Sequence, residues 1–170
     1  MKLQHFLVVL LACTDLAFAD EGSKSWDSPN KSLQALAETN KPKEGDQFDV
    51  VKIVTSQGRD VAKFSLGRTE HMSPRYVYRG QWSPDSRFFV FSTLSSGGHS
   101  IWHATTYFFD SKSQKFYELD KFIGSVVEGN FTVLEPDIIE TKVNNPKVGV
   151  DGDPIPKRVS LVKLIEAKEK

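Results

Sequence analysis

The sequence has one cysteine, Cys13, and it lies within an apolar N-terminal run. A mature chain cut after that run holds no cysteine, which excludes an internal disulfide framework and any cysteine-built zinc site. Neither sign of charge is in excess, since Lys plus Arg and Asp plus Glu each number 22 and the net charge is zero. No long-range field gathers nucleic acid or an anionic membrane, so no nucleic-acid partner is expected. No segment approaches the roughly 20 apolar residues that cross a bilayer as a helix, so no membrane span is expected. Glycine-rich phosphate loops, dinucleotide fingerprints and paired-carboxylate motifs are missing too, and no cofactor is expected. What remains, 39% hydrophobic and 26% charged among 170 residues, is the composition of one ordinary globular domain.

The N-terminus reads as a secretory signal. Lys2 supplies a short basic region, residues 6–12 an apolar stretch, and Ala17-Phe18-Ala19 a small-x-small cleavage site before Asp20. Residues 1–19 are therefore expected to be removed, giving a periplasmic or secreted protein that begins at Asp20. Leu10-Leu11-Ala12-Cys13 also resembles the lipobox of bacterial lipoproteins, and that alternative anchors the protein through acylated Cys13.

Residues 20–46 are polar, with Pro29, Pro42, Gly22 and Gly45, and cannot bury enough apolar surface to order themselves alone. They read as a flexible tether, in which Leu33, Leu36 and Ala37 on one side of 31–38 predict a short helix. From Phe48 the pattern changes to short β-rich runs punctuated by turn residues. Strands are expected at 48–55, 60–66, 76–82, 87–94, 100–109, 115–119, 131–134, 137–143 and 158–165, within a β domain over 47–166 and ahead of a charged tail, 167–170. Phe88-Phe89-Val90-Phe91 is apolar at both parities, as only a strand covered on both faces should be. It is expected to be central. The fold class expected is all-β: a single antiparallel sandwich or partly open barrel of about eight or nine strands, with a blade-like meander at its centre.

Trp82, the Ser83-Pro84-Asp85-Ser86 turn and the apolar strand leading to Thr93 resemble the blade signature of TolB-type and WD-like propellers, with Ser86 standing where those blades carry glycine. The resemblance implies one four-stranded blade over about 40 residues. A closed propeller needs at least four such blades, more than 48–165 can supply. The segment 89–99, an apolar strand running into Ser95-Ser96-Gly97-Gly98-His99, is similar to the periplasmic inhibitors of invertebrate-type lysozyme. In that family a protruding loop presents a serine and a tyrosine to the enzyme; Ser96 matches the serine, and His99 stands at the tyrosine's place.

One segment concentrates chemical character. Ser95, Ser96, Gly97, Gly98, His99, Trp102 and His103 combine paired serines, a diglycine bend and two imidazoles beside an indole. As a recognition loop, Gly97 and Gly98 permit a tight bend while His99, Trp102 and His103 supply amphipathic contact area. As plain structure, Trp102 and Phe108 are core residues of a hairpin. A metal site through His99 and His103, joined by Asp110 or His71, needs a turn, because four strand residues separate the two by roughly 13 Å. A hydrolase using Ser95 or Ser96 with His99 lacks the strand-turn-helix nucleophile elbow. The function expected is a non-enzymatic exported binding protein that meets a protein or cell-envelope component through 95–103; a small hydrolase or metal-binding protein is the alternative.

Intact-mass measurement of the exported protein should give a chain beginning at Asp20. A mass carrying diacylglycerol on Cys13 would overturn this and make the protein a lipoprotein.

Overall fold

A computed structural model of the chain describes residues 23–41, 47–67, 75–95, 104–147 and 152–168. The signal segment lies outside the described residues. The first sheet contains β1 (Lys24–Asp27), β2 (Leu33–Asn40), β3 (Phe48–Thr55) and β4 (Asp60–Ser65), and the second β5 (Arg75–Trp82), β6 (Phe88–Ser95), β7 (Thr105–Asp110) and β8 (Lys115–Glu118). A short helix, α1 (Asp120–Ile123), leads to the third sheet, made of β9 (Val126–Leu134), β10 (Ile138–Val143) and β11 (Ile155–Ser160), and helix α2 (Leu161–Lys168) follows. Neighbouring strands pair antiparallel in the orders β1-β2-β3-β4, β5-β6-β7-β8 and β11-β10-β9. All three sheets are open meanders, and none closes into a barrel.

The second sheet lies between the other two. Phe89, Phe91, Tyr107 and Phe109 pack with Ala35, Ala37, Val51 and Ile53 of the first sheet. Phe88, Val90 and Phe108 turn the other way, onto Val126, Phe131, Val133 and Ile139 of the third sheet and Leu161 and Ile165 of α2. All four residues from Phe88 to Phe91 are fully buried, so β6 has a core on each side. Gly80 of β5 has no room for a side chain: a Cβ there would stand 2.6 Å from the Phe89 ring and 2.9 Å from Trp26 of the first sheet.

The turn before β6 is built by its own side chains. Ser83 Oγ accepts the Phe88 N–H (2.8 Å), and Asp85 accepts from the Ser83 hydroxyl (2.5 Å) and the Arg87 N–H (3.1 Å). Ser86 has φ +64°, a left-handed conformation glycine adopts at little cost. Its hydroxyl accepts the Asn30 N–H at 3.0 Å and so ties this turn to the first sheet. After β7, Asp110 accepts from the Lys112 and Ser113 N–H groups and from Arg87 Nε (2.9 Å). Burial pushes the Asp110 carboxyl up, but Arg87, Ser113 and the Lys112 N–H together outweigh it and hold the group below its ordinary value.

Several sequence expectations need correction. The polar stretch after residue 20 is no tether where it is described, because β1 and β2 form a hairpin paired along the length of β3. The helix expected at 31–38 is replaced by strand β2, in which Ala35 and Ala37 are fully buried. Their period of two wins over the helical spacing of Leu33, Leu36 and Ala37 because β3 supplies a hydrogen-bonding partner and the central sheet supplies a core. The strand expected at 158–165 stops at Ser160, where α2 begins and takes in the first two residues of the expected tail. Asp137 starts that helix, its carboxylate accepting from the Ser160 hydroxyl and the Val162 N–H (2.9 Å), and the i, i+4 pair Leu161 and Ile165 then faces the core. There are thus eleven strands in three layers among the described residues, against eight or nine expected.

Because both faces of β6 are core, truncating either set of side chains should be costly. Phe89→Ala and Phe88→Ala are each expected to lose about 3–5 kcal/mol in chemical denaturation. A loss within about 0.5 kcal/mol for either one, the scale of a surface change, would show that its face is not packed.

Candidate functional site

Most of the segment singled out in the sequence, Ser96, Gly97, Gly98, His99, Trp102 and His103, together with His71, lies outside the described residues. Its roots are described. Ser95 ends β6 and pairs with Arg75, while Ala104 is buried and Thr105 opens β7. Asp110, the suggested third ligand, is occupied by Arg87 and its own turn. Among the described residues no group of three or more His, Cys, Asp or Glu is placed to hold a metal ion.

Below these roots, between the second and third sheets, runs a buried polar chain. Ser92 and Thr106, both fully buried, share a hydroxyl hydrogen bond of 2.9 Å, and Ser92 donates to the Gly129 carbonyl at 2.7 Å. Thr106 must then give its own proton to Ser92, which fixes the direction of the pair. Glu128 and Gly129 both have positive φ and stand in an excursion of β9, four residues of which face the single Lys142 between paired positions of β10. Tyr78 donates its phenol to the Glu128 carbonyl. Gly129 has no room for a side chain, since a Cβ would stand 2.4 Å from the Tyr78 oxygen.

Asp120 closes this chain by accepting the Thr106 N–H at 3.2 Å, and the Val126 N–H also bonds it. Burial pushes its carboxyl up to about 7, with Glu118 adding to the rise, while those two N–H groups and Arg75 oppose it. The residue therefore joins the start of β7, just after the 96–103 segment, to the start of the third sheet.

Among the described residues, two of the surface clefts flank the central sheet. The larger, about 800 Å³, lies between the β9 excursion and β11. Its strongest polar groups are already matched: Arg79 donates to the Phe131 carbonyl (2.6 Å) and to Asn130, and Arg158 pairs with Glu140 (3.1 Å).

The second, about 590 Å³, follows the edge of β8 and joins a further cleft of about 350 Å³ that shares Phe116, Tyr117 and Lys168. Together they form a trench with aromatic walls. Phe64 stacks on Phe116 at 5.1 Å on the side of the first sheet, and Phe122 stands 6.5 Å from Tyr117 on the side of α2. The Lys168 ammonium lies over Tyr117 and Phe122, 5.4 and 5.9 Å from their centroids, a favourable cation–π placement. Lys121 reaches Glu118 at 3.0 Å and leaves most of its length in solvent. Tyr107, at the first-sheet side, has its phenol pushed up to about 12 by burial, helped by Glu118, so it stays neutral.

This trench was not singled out from sequence. Its aromatics read as core in a one-dimensional pattern, and α2, which supplies Lys168, read as strand and tail. The signal that was available is Lys115-Phe116-Tyr117-Glu118, a short aromatic strand with a charge at each end.

No family model matches the chain, and a search of the curated proteins finds no match.

Asp120 gives a pH dependence of definite sign. Its pKa is higher in the folded state, about 7 against an ordinary 3.8, so the folded state takes up a proton more readily. Stability from this group therefore rises as pH falls through 7 and levels off below about 4. Between pH 8 and pH 5 the wild type should gain on the order of 2 kcal/mol relative to Asp120→Asn, which keeps an acceptor for Thr106 but cannot ionise. Parallel denaturant titrations of the two proteins with the same pH slope would refute the assignment.

Proposed function

We propose that the protein is an exported, non-enzymatic binding protein, which meets a protein or cell-envelope partner along the β8 trench and through the 95–103 segment. The observation that carries this is the trench itself: aromatic rings and loosely held lysines line an open strand edge. Clustered aromatic side chains inside a polar rim are among the groups that dominate recognition energetics. Tyr107 borders the trench three residues after Ala104, where the described chain resumes. The resemblance of 89–99 to the lysozyme inhibitors, which act by presenting a loop, points the same way.

Trp102→Ala and Lys121→Glu test the reading. If 95–103 is a recognition loop, each should fold within about 1 kcal/mol of wild type, and each should weaken capture of the native partner from the exported fraction at least tenfold; a Trp102→Ala protein destabilised by about 3–5 kcal/mol would instead make Trp102 core. Undiminished capture by both stable variants would sink the reading. Labelling of the purified protein by a serine-reactive phosphonate would replace it with the hydrolase alternative.

A further inference from the structure

We infer that β8 is a strand-addition site for an extended peptide whose side chains alternate between apolar and acidic. The inference rests on the reading of the β8 trench as a recognition surface and specifies how the partner is held. It begins with the backbone. The Leu119 N–H donates to the Thr106 carbonyl at 2.8 Å. By the two-residue period of a strand, Tyr117 and Lys115 also turn their backbone groups toward β7, opposite Phe108 and Asp110. Phe116 and Glu118 then aim their N–H and C=O groups outward, into the trench, and no hydrogen bond within the described chain takes them up.

Four of the five other edges, those of β4, β5, β9 and β11, are treated differently. On β9 the outward Phe131 carbonyl accepts from Arg79, and the Val133 N–H and carbonyl bond both ends of the Gln81 amide (3.2 and 3.1 Å). β11 carries Pro156, and the pairings of β4 and β5 are broken by bulges. These are the ordinary ways of blunting an edge. β8 has no bulge, no proline and no side chain capping its outward groups among the described residues.

An added strand would place alternate side chains on the two walls. Residues on the Phe116 side meet the rings of Phe64 and Phe116, which suits an apolar side chain. Residues on the Tyr117 side meet Lys115 and Lys168, which border the same cleft with Ile165. The trench as a whole has three lysines, Lys115, Lys121 and Lys168, against one carboxylate, Glu118, already held by Lys121. Carboxylates of the incoming strand supply the missing charge. A second copy of β8 would bring the same excess of lysine over carboxylate to this edge, and that like-charge meeting disfavours self-pairing. The occupant is therefore an acidic partner segment in extended form.

The experiment adds a blocked eight-residue peptide of alternating valine and glutamate to the full mature protein and follows amide hydrogen exchange residue by residue. Saturable binding is expected, with exchange at Phe116 and Glu118 slowed at least tenfold and Tyr117, already bonded to β7, unchanged. N-methylation of the peptide's alternate amides on the edge-facing side should abolish this, and methylation of the other set should not. Lys115→Glu with Lys168→Glu should weaken the peptide at least tenfold. The inference is overturned by absence of protection at Phe116 and Glu118, by equal binding of the valine-lysine peptide, or by concentration-dependent dimerisation that protects the same amides without peptide. If the peptide fails while partner capture still depends on Lys121 and Trp102, strand addition falls and the binding reading stands. If the peptide pairs as expected but capture ignores Lys121 and Trp102, the binding reading falls instead.

Discussion

Strand β6 imposes the constraint that organises this molecule. With Phe88 and Val90 on one face and Phe89 and Phe91 on the other, it exposes large apolar surface in both directions. Burying a phenylalanine is worth on the order of 2 to 3 kcal/mol relative to leaving it in water, so a sheet covered on one side only would forfeit much of its stability. The first sheet covers one face. The third sheet, reinforced by α2, covers the other.

Three layers of backbone must also satisfy their polar groups where they meet, and a small set of side chains does this at each junction. Between the first and second sheets, Asp49 accepts the Val77 N–H (2.8 Å) and the Thr39 hydroxyl (2.9 Å), while Trp82 Nε1 donates to the Trp26 carbonyl (2.8 Å). Between the second and third, Tyr78, Arg79, Gln81 and Ser92 all reach backbone carbonyls of β9. The buried ones among these contacts, Val77 to Asp49 and Ser92 to Gly129, satisfy groups that would otherwise lack a partner, at a cost of about 1 to 3 kcal/mol each. Their direction matters too, because a slip of one residue would turn each donor to the wrong face.

The same accounting locates the surface most available for function. Where β9 meets β5, side chains close the edge; at β8 they stand to either side of it and leave the strand open. The lysines that line the trench are held loosely, one over aromatic rings and one in an exposed pair with Glu118, and such contacts exchange readily for a better partner. Asp120, next to Lys121 in the chain, holds the N–H of Thr106 near the start of β7.

Much of the centre was legible in the sequence. The two-parity run at Phe88 to Phe91 required two covering layers, and the Ser83-Pro84-Asp85 turn could be read from residues whose side chains bond their own backbone. Strand β3 was bounded correctly at Phe48–Thr55 because its alternation and flanking turn residues are local signals. What the sequence could not determine depends on partners remote along the chain. Residues 33–40 carry too little apolar surface to choose a conformation alone, and became strand because β3 offered hydrogen bonds and the central sheet offered cover for two alanines. Residues 161–168 became helix because Asp137, more than twenty positions earlier, captured the N–H of Val162. The open edge of β8 was beyond a linear reading for the same reason: exposure of a backbone N–H is a property of what fails to pack beside it, and only the tertiary arrangement decides that.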